Sequence, residues 1–99
     1  MAQLLDDKDI DNALEGLDGW SRSGSSIIRT LALRSFPDAI ALVDRVAETA
    51  EQRNHHPDID IRWRKVTFAC STHALGGVTQ LDLDLARTIN ELAEEQASS

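Results

Sequence analysis

Cysteine is nearly missing from this chain of 99 residues: the single copy, Cys70, excludes an internal disulfide and fits a reducing compartment. No stretch approaches the roughly 18 consecutive apolar residues of a membrane-spanning helix, which excludes a membrane span of that kind. The opening "MAQLLDDKDI" has neither a basic region nor an apolar core, so no secretory signal is expected and the expected location is cytoplasmic. Positive charge is the minority sign. Ten Lys and Arg against 17 Asp and Glu give a formal net charge of −7, which weighs against a direct nucleic-acid surface, since phosphate binding wants a basic stripe. With 41% apolar and 27% charged residues, five glycines and two prolines, the composition is that of an ordinary globular chain. The expectation is one domain over residues 1–99 with one modest core.

What charge there is has a pattern. Acids gather toward the ends, in "LDDKDIDNALEGLD" and "LDLDLARTINELAEE". Arginines gather in the middle, at Arg22, Arg29, Arg34, Arg45, Arg53, Arg62 and Arg64. Such a middle could hold an anionic or carbonyl-rich small molecule, although solvated strand and helix faces explain any one arginine equally well.

Hydrophobic spacing divides the chain into seven elements. Asp6 to Leu17 sets Ile10, Leu14 and Leu17 at helical intervals behind an acidic start that suits the helix dipole. The Ser and Gly cluster at 21–26 marks a turn between a short arm beginning at Trp20 and a strand carrying Ile27, Leu31 and Leu33, with Arg29 interrupting the apolar side. Pro37 opens a helix with Ile40, Val43, Val46, Ala47 and Ala50 as its expected stripe. That helix should end near Arg53, with Asn54 as a left-handed terminator and Pro57 barring continuation. From Asp58 the period changes to two: Ile59, Ile61 and Trp63, then Val66, Phe68 and Cys70, with a tight turn near Arg64 and Lys65. After the loop "ALGGVT", Thr79 caps a last helix with Asp82 in a capping-box-like position, Leu81, Leu85, Thr88 and Leu92 on one side, Ile89 beside them, and a fraying "EQASS". The expected fold is α+β: a four-stranded antiparallel sheet with three helices on one face, in the order α-β-β-α-β-β-α.

The residues that could carry chemistry are the three histidines. His55 and His56 stand where a helix stops, and His73 ends the strand segment "VTFACSTH", the kind of strand end where sites collect. Taken alone, each has a plain structural explanation, the first two as cations at a helix C-terminus and the third as a strand-end residue. Sheet pairing would bring all three to one loop-rich end. Glu51, one helical turn before His55, could orient an imidazole or simply be solvated. Asp82 could act in the site or only cap its helix. Zinc spacings such as H-E-x-x-H are absent, adjacent histidines are awkward ligands, and Cys70 falls in phase with core residues, so no metal is expected. Imidazole exchanges protons near neutral pH, so the metal-free alternative is acid–base chemistry.

"ETAEQRNHHPDIDI", a strand ending "STH", and "GGVTQLDLDLA" together resemble the pterin-4a-carbinolamine dehydratase family. Its pattern is an acidic residue, three positions, His-His-Pro, an aromatic, a later His, then an Asp. Glu51, His55, His56, Pro57, Trp63, His73 and Asp82 fill it in order, and the likeness runs from about Trp20 to Ala93. The resemblance implies a lyase that dehydrates 4a-hydroxytetrahydropterins to quinonoid dihydropterins, recycling the cofactor of aromatic amino-acid hydroxylases with no cofactor of its own. It implies acid–base roles for His55 and His73, pterin binding by His56, and support from Glu51. Trp20, Pro57, Trp63 and Asp82 become substrate-binding candidates, with Trp63 open to a core role instead. It also implies a homodimer or homotetramer. A rival implication is a non-catalytic dimerisation or assembly factor bound to another protein. Departures lie in "RWRKV", in the aliphatics of "RTLALRSF" and in the serine-rich first hairpin, all of which bear on the pocket wall.

Overall fold

A computed structural model describes residues 2–98. It places helix α1 at Asp7–Leu14, strands β1 at Ser21–Ser23 and β2 at Ser26–Ala32, helix α2 at Phe36–Arg53, strands β3 at Asp58–Arg62 and β4 at Lys65–Cys70, and helix α3 at Gln80–Ser98. A 3₁₀ turn, His73–Leu75, interrupts the expected loop. The strands form one antiparallel sheet in the order β1-β2-β4-β3, and the α+β order is the expected one.

Register explains which side of the sheet is covered. Ile27 stands opposite Cys70, and Leu31 opposite Val66, while Phe68 lies between Arg29 and Ile59 on its two neighbours. Ile27, Val66, Phe68 and Cys70 are fully buried on that face against Leu42 and Val46 of α2 and Leu85, Ala86 and Ile89 of α3. The other face carries Thr30 and Thr67, whose hydroxyls meet at 2.8 Å. Arg29 sits on the covered face and still makes sense there. Its guanidinium donates to Asn90 Oδ1 of α3, which also accepts from Trp20 Nε1–H at 2.8 Å. Gly19, at φ +84, lies so close that a Cβ would stand 2.5 Å from Arg29 Nε, so no other residue fits without displacing that arginine.

Several expectations shift. Helix α1 stops at Leu14 rather than Leu17, and Leu17 instead folds back to donate its N–H to Leu14 O at 3.1 Å, remaining buried. The buried stripe of α2 is Ala39, Leu42, Val46 and Ala50: Val46 and Ala50 are buried as expected, while Ile40, Val43 and Ala47 fall beside the stripe, which Ala39 and Leu42 complete instead. In α3, Leu81 is exposed while Leu83, Leu85 and Ile89 are buried. The segment expected to fray is helical through Ser98; Ser99 lies outside the described residues.

Strand β3 departs most. It alternates as expected, yet all five residues are exposed, because β3 is the sheet edge beyond the reach of the helices. Trp63 is not core: it is 86% exposed in the two-residue turn and adopts φ +57. A bulky side chain in the left-handed region costs roughly 1–2 kcal/mol. Trp63→Gly is therefore expected to stabilise the fold by about 0.5–1 kcal/mol, read from the midpoint of urea denaturation, since an exposed indole gives up no packing.

Candidate active site

The site begins with the way α2 stops. Asn54 takes the left-handed conformation, φ 50, and the His55 N–H donates to Ala50 O at 3.0 Å, the long closing bond of a Schellman motif. That reversal sends the two histidines in different directions. His55 turns inward until its side chain is 11% exposed, and its Nε2–H donates to Asp82 Oδ1 at 2.6 Å. A carboxylate oxygen only accepts, so the ring hydrogen lies on Nε2 and Nδ1 is left as the other ring nitrogen. His56 turns back over the last helical turn, where its Nε2 pairs with Glu51. The expected Glu51–His55 contact is thus replaced, since the left-handed residue breaks the i, i+4 geometry just before it forms.

Asp82 has no exposed surface. Its Oδ2 accepts from the Thr79 N–H at 2.8 Å and the Thr72 hydroxyl at 2.9 Å, while the Thr79 and Thr72 hydroxyls meet at 2.8 Å. One carboxylate therefore closes the capping box of α3 and holds His55, and the two explanations of Asp82 are not alternatives. Being sealed, it touches a ligand only through His55.

His73 opens the 3₁₀ turn directly after Thr72, and its Nε2 lies 3.7 Å from Asp58 Oδ1, both side chains largely exposed. The Leu5 N–H donates to Val78 O at 2.9 Å and pins the N-terminal segment beside this loop. Each imidazole thus has its own carboxylate: His55 with Asp82, His56 with Glu51, His73 with Asp58. The carboxylates of two of these pairs, Asp82 and Asp58, lie near the end of β4, whereas the His56–Glu51 pair sits on the last turn of α2. Cys70 reports this, because burial first, then the charges of Asp82 and Asp58, push its thiol up from 9.0 to about 12.

That shift makes Cys70 inert. A disulfide exchange reagent at pH 8 should label it only after unfolding, as absorbance with and without denaturant would show. The folded state keeps this proton where the unfolded chain sheds it, so the thiol leaves stability unchanged below pH 9.0 and erodes it between 9.0 and about 12.

Beside His55 lies a groove of about 490 Å³ lined by Arg53, Leu81, Asp84, Arg87 and Thr88. Of these, the sequence marks Arg53 as one of seven arginines that could meet a ligand, and Leu81 and Thr88 only as one side of the last helix. Thr72, which helps to fix Asp82, carries no signal in the sequence beyond its place before His73. The tryptophans do not join the histidines. Trp20 is buried and lines a separate groove with Asp11, Leu14 and Arg22. Trp63 stands at the far end of β3 from Asp58, roughly 16 Å away at strand rise. Pro57 is half-buried between His56 and β3. Among the described residues, no group of three or more His, Cys, Asp and Glu side chains is arranged to hold a metal ion. No helix in those residues is long and apolar enough to cross a membrane.

Comparison with known proteins gives one answer. A family model described as pterin 4 alpha carbinolamine dehydratase matches residues 3–92. A protein of Nocardia farcinica, provisionally named pterin-4-alpha-carbinolamine dehydratase, is 63% identical over 91 residues, covering 92% of this chain and 96% of that protein. A namesake from Roseiflexus castenholzii is 55% identical over 92 residues, covering 93% and 99%. The crystal structure of a transcriptional coactivator/pterin dehydratase from Brucella melitensis superposes with a TM-score of 0.89 at 31% identity, covering 92% of this chain and 99% of that one. The chain belongs to the pterin-4-alpha-carbinolamine dehydratase family.

Proposed function

We propose that this chain dehydrates 4a-hydroxytetrahydropterins to quinonoid dihydropterins by metal-free acid–base catalysis. The observation that carries the reading is His55, oriented by the sealed carboxylate of Asp82 at the wall of a groove. The reaction needs one proton delivered and one removed. A general acid protonates the 4a-hydroxyl, the C4a–O bond breaks with its electron pair leaving as water, and the N5 lone pair forms the C4a=N5 bond. The N5 proton then passes to a base or to solvent. His55 and His73 take the acid and base parts, and His56, steadied by Glu51, holds the pterin. General acid–base catalysis is worth roughly 10²–10⁴-fold, enough for an elimination already driven by a nitrogen lone pair.

The test is the rate of quinonoid product formation by wild-type protein in the presence of a chelator. Chelator-resistant turnover above the spontaneous rate supports the reading. Folded protein that gives none favours the second reading, a non-catalytic association factor. One observation speaks for association in either case: the exposed β3 edge carries Ile59 and Ile61, and open edges are commonly paired or covered. Homodimers or homotetramers are accordingly expected in sedimentation equilibrium, and charged replacement of both isoleucines should yield monomers.

A further inference from the structure

The rim of the groove beside His55 opposes the charge of the chain. Arg53 and Arg87 line it with Leu81, Asp84 and Thr88, although the chain as a whole has a formal net charge of −7. The partners of the arginines separate them. Arg22, Arg45 and Arg62 end on carboxylates. Arg34 and Arg64 end on main-chain carbonyls, and Arg29 is committed to Asn90. Arg53 donates only to the neutral Thr88 Oγ1, at 2.8 Å, and among the described residues no carboxylate reaches it. A guanidinium offers five N–H donors in a fixed fork, and Thr88 takes one of them.

Arg87 is held by Asp84 at 3.3 Å, and Asp84 also accepts from Gln80 at 2.9 Å. One exposed carboxylate therefore stands against two guanidinium groups. Asp82, in the same turn of α3, is sealed and committed to His55, Thr72 and Thr79. Leu81, exposed between these charges, supplies an apolar surface in the groove. Planar forks with unused donors match oxyanions in two-point contacts.

Resting on the dehydratase reading above, we propose that the substrate is an acidic pterin carbinolamine: the ring meets the histidines, and a side-chain oxyanion, phosphate monoester or carboxylate, binds the Arg53–Arg87 rim. Three carbinolamines test it, with a neutral dihydroxypropyl side chain, the same side chain as a phosphate monoester, and one ending in a carboxylate. At low ionic strength kcat/KM should favour an oxyanion-bearing substrate by roughly tenfold or more, about 1.4 kcal/mol. The preference should shrink with added salt, collapse in Arg53→Gln and survive in part in Arg53→Lys. The better of the two acidic substrates identifies the group. Fluorescence titration with oxidised pterins bearing the same side chains should give the same ratio in Kd, a readout that a merely structural role for Arg53 would leave unmoved. Wild-type protein that handles neutral and acidic substrates alike, with a ratio unchanged in Arg53→Gln, overturns the proposal and leaves the dehydratase reading standing. Absence of turnover with all three substrates removes both.

Discussion

On the proposed dehydratase reading, His55→Ala should lower the rate of carbinolamine dehydration by roughly 10²–10⁴-fold while the protein stays folded. The side chain is mostly buried but opens on a groove, so water can replace the lost ring and satisfy Asp82 Oδ1. Stability should fall by only about 1–2 kcal/mol, the value of one charge-assisted hydrogen bond and some packing. His73→Ala is the sharper control. Its ring is 68% exposed and its ion pair with Asp58, at 3.7 Å, is a surface one. Such pairs are worth roughly 0–1 kcal/mol, so the melting temperature should hardly move. A comparable rate loss in His73→Ala at unchanged stability assigns both histidines to chemistry. Activity retained by His73→Ala would leave His55 as the acid with solvent as the base.

Asp82 separates folding from catalysis. In Asp82→Ala three donors lose their acceptor inside the protein: His55 Nε2–H, the Thr72 hydroxyl and the Thr79 N–H. A buried donor left unpaired costs about 1–3 kcal/mol, and partial repacking brings the expected total to about 3–5 kcal/mol. For a domain of this size 3 kcal/mol lowers Tm by roughly 12–24 °C, measurable by calorimetry. Asp82→Asn keeps the shape. Its oxygen still serves Thr79 and Thr72, but its NH₂ now faces His55 and forces Nε2 to accept, moving the ring hydrogen to Nδ1. The variant should fold with a modest loss of stability and lose at least roughly 10²-fold in kcat, because Nδ1, still the outward nitrogen, then carries the hydrogen of the wrong tautomer. Nitrogen-15 NMR of His55 reads the tautomer directly. An active Asp82→Asn variant would show that the hydrogen bond sets only the position of the ring.

The sequence made the elements and the buried face of β4 legible because local patterns act there without competition. Val66, Phe68 and Cys70 alternate and are buried, and Asn54 followed by Pro57 leaves the chain one way to end α2. Failures came where the neighbour decides. In α2, Ile40–Val43–Ala47 and Ala39–Leu42 both join Val46 and Ala50 at helical spacing, and only the sheet against which the helix lies chooses between them. In β3 alternation gives the strand but is silent on whether a helix reaches that far. For the site, residue identities were legible and partnerships were not. Glu51 belongs to His56 because of one left-handed residue, and Asp82 belongs to His55 across 27 positions, a pairing that only the return of α3 beside the end of α2 brings about. The tryptophans were ambiguous for a simpler reason: an aromatic side chain fits a core, a turn tip or a pocket wall equally well by pattern.

The bond from the Thr79 N–H to Asp82 ties the first turn of α3 to the aim of His55. Fraying of that one turn releases the carboxylate and the imidazole together, so the proposed catalytic arrangement can be lost by a local opening long before the sheet gives way. The exchange rate of the Thr79 amide hydrogen is therefore a direct gauge of the fraction of molecules whose site is assembled at a given temperature. A thermal optimum of activity well below the melting temperature would be set by that opening rather than by global unfolding.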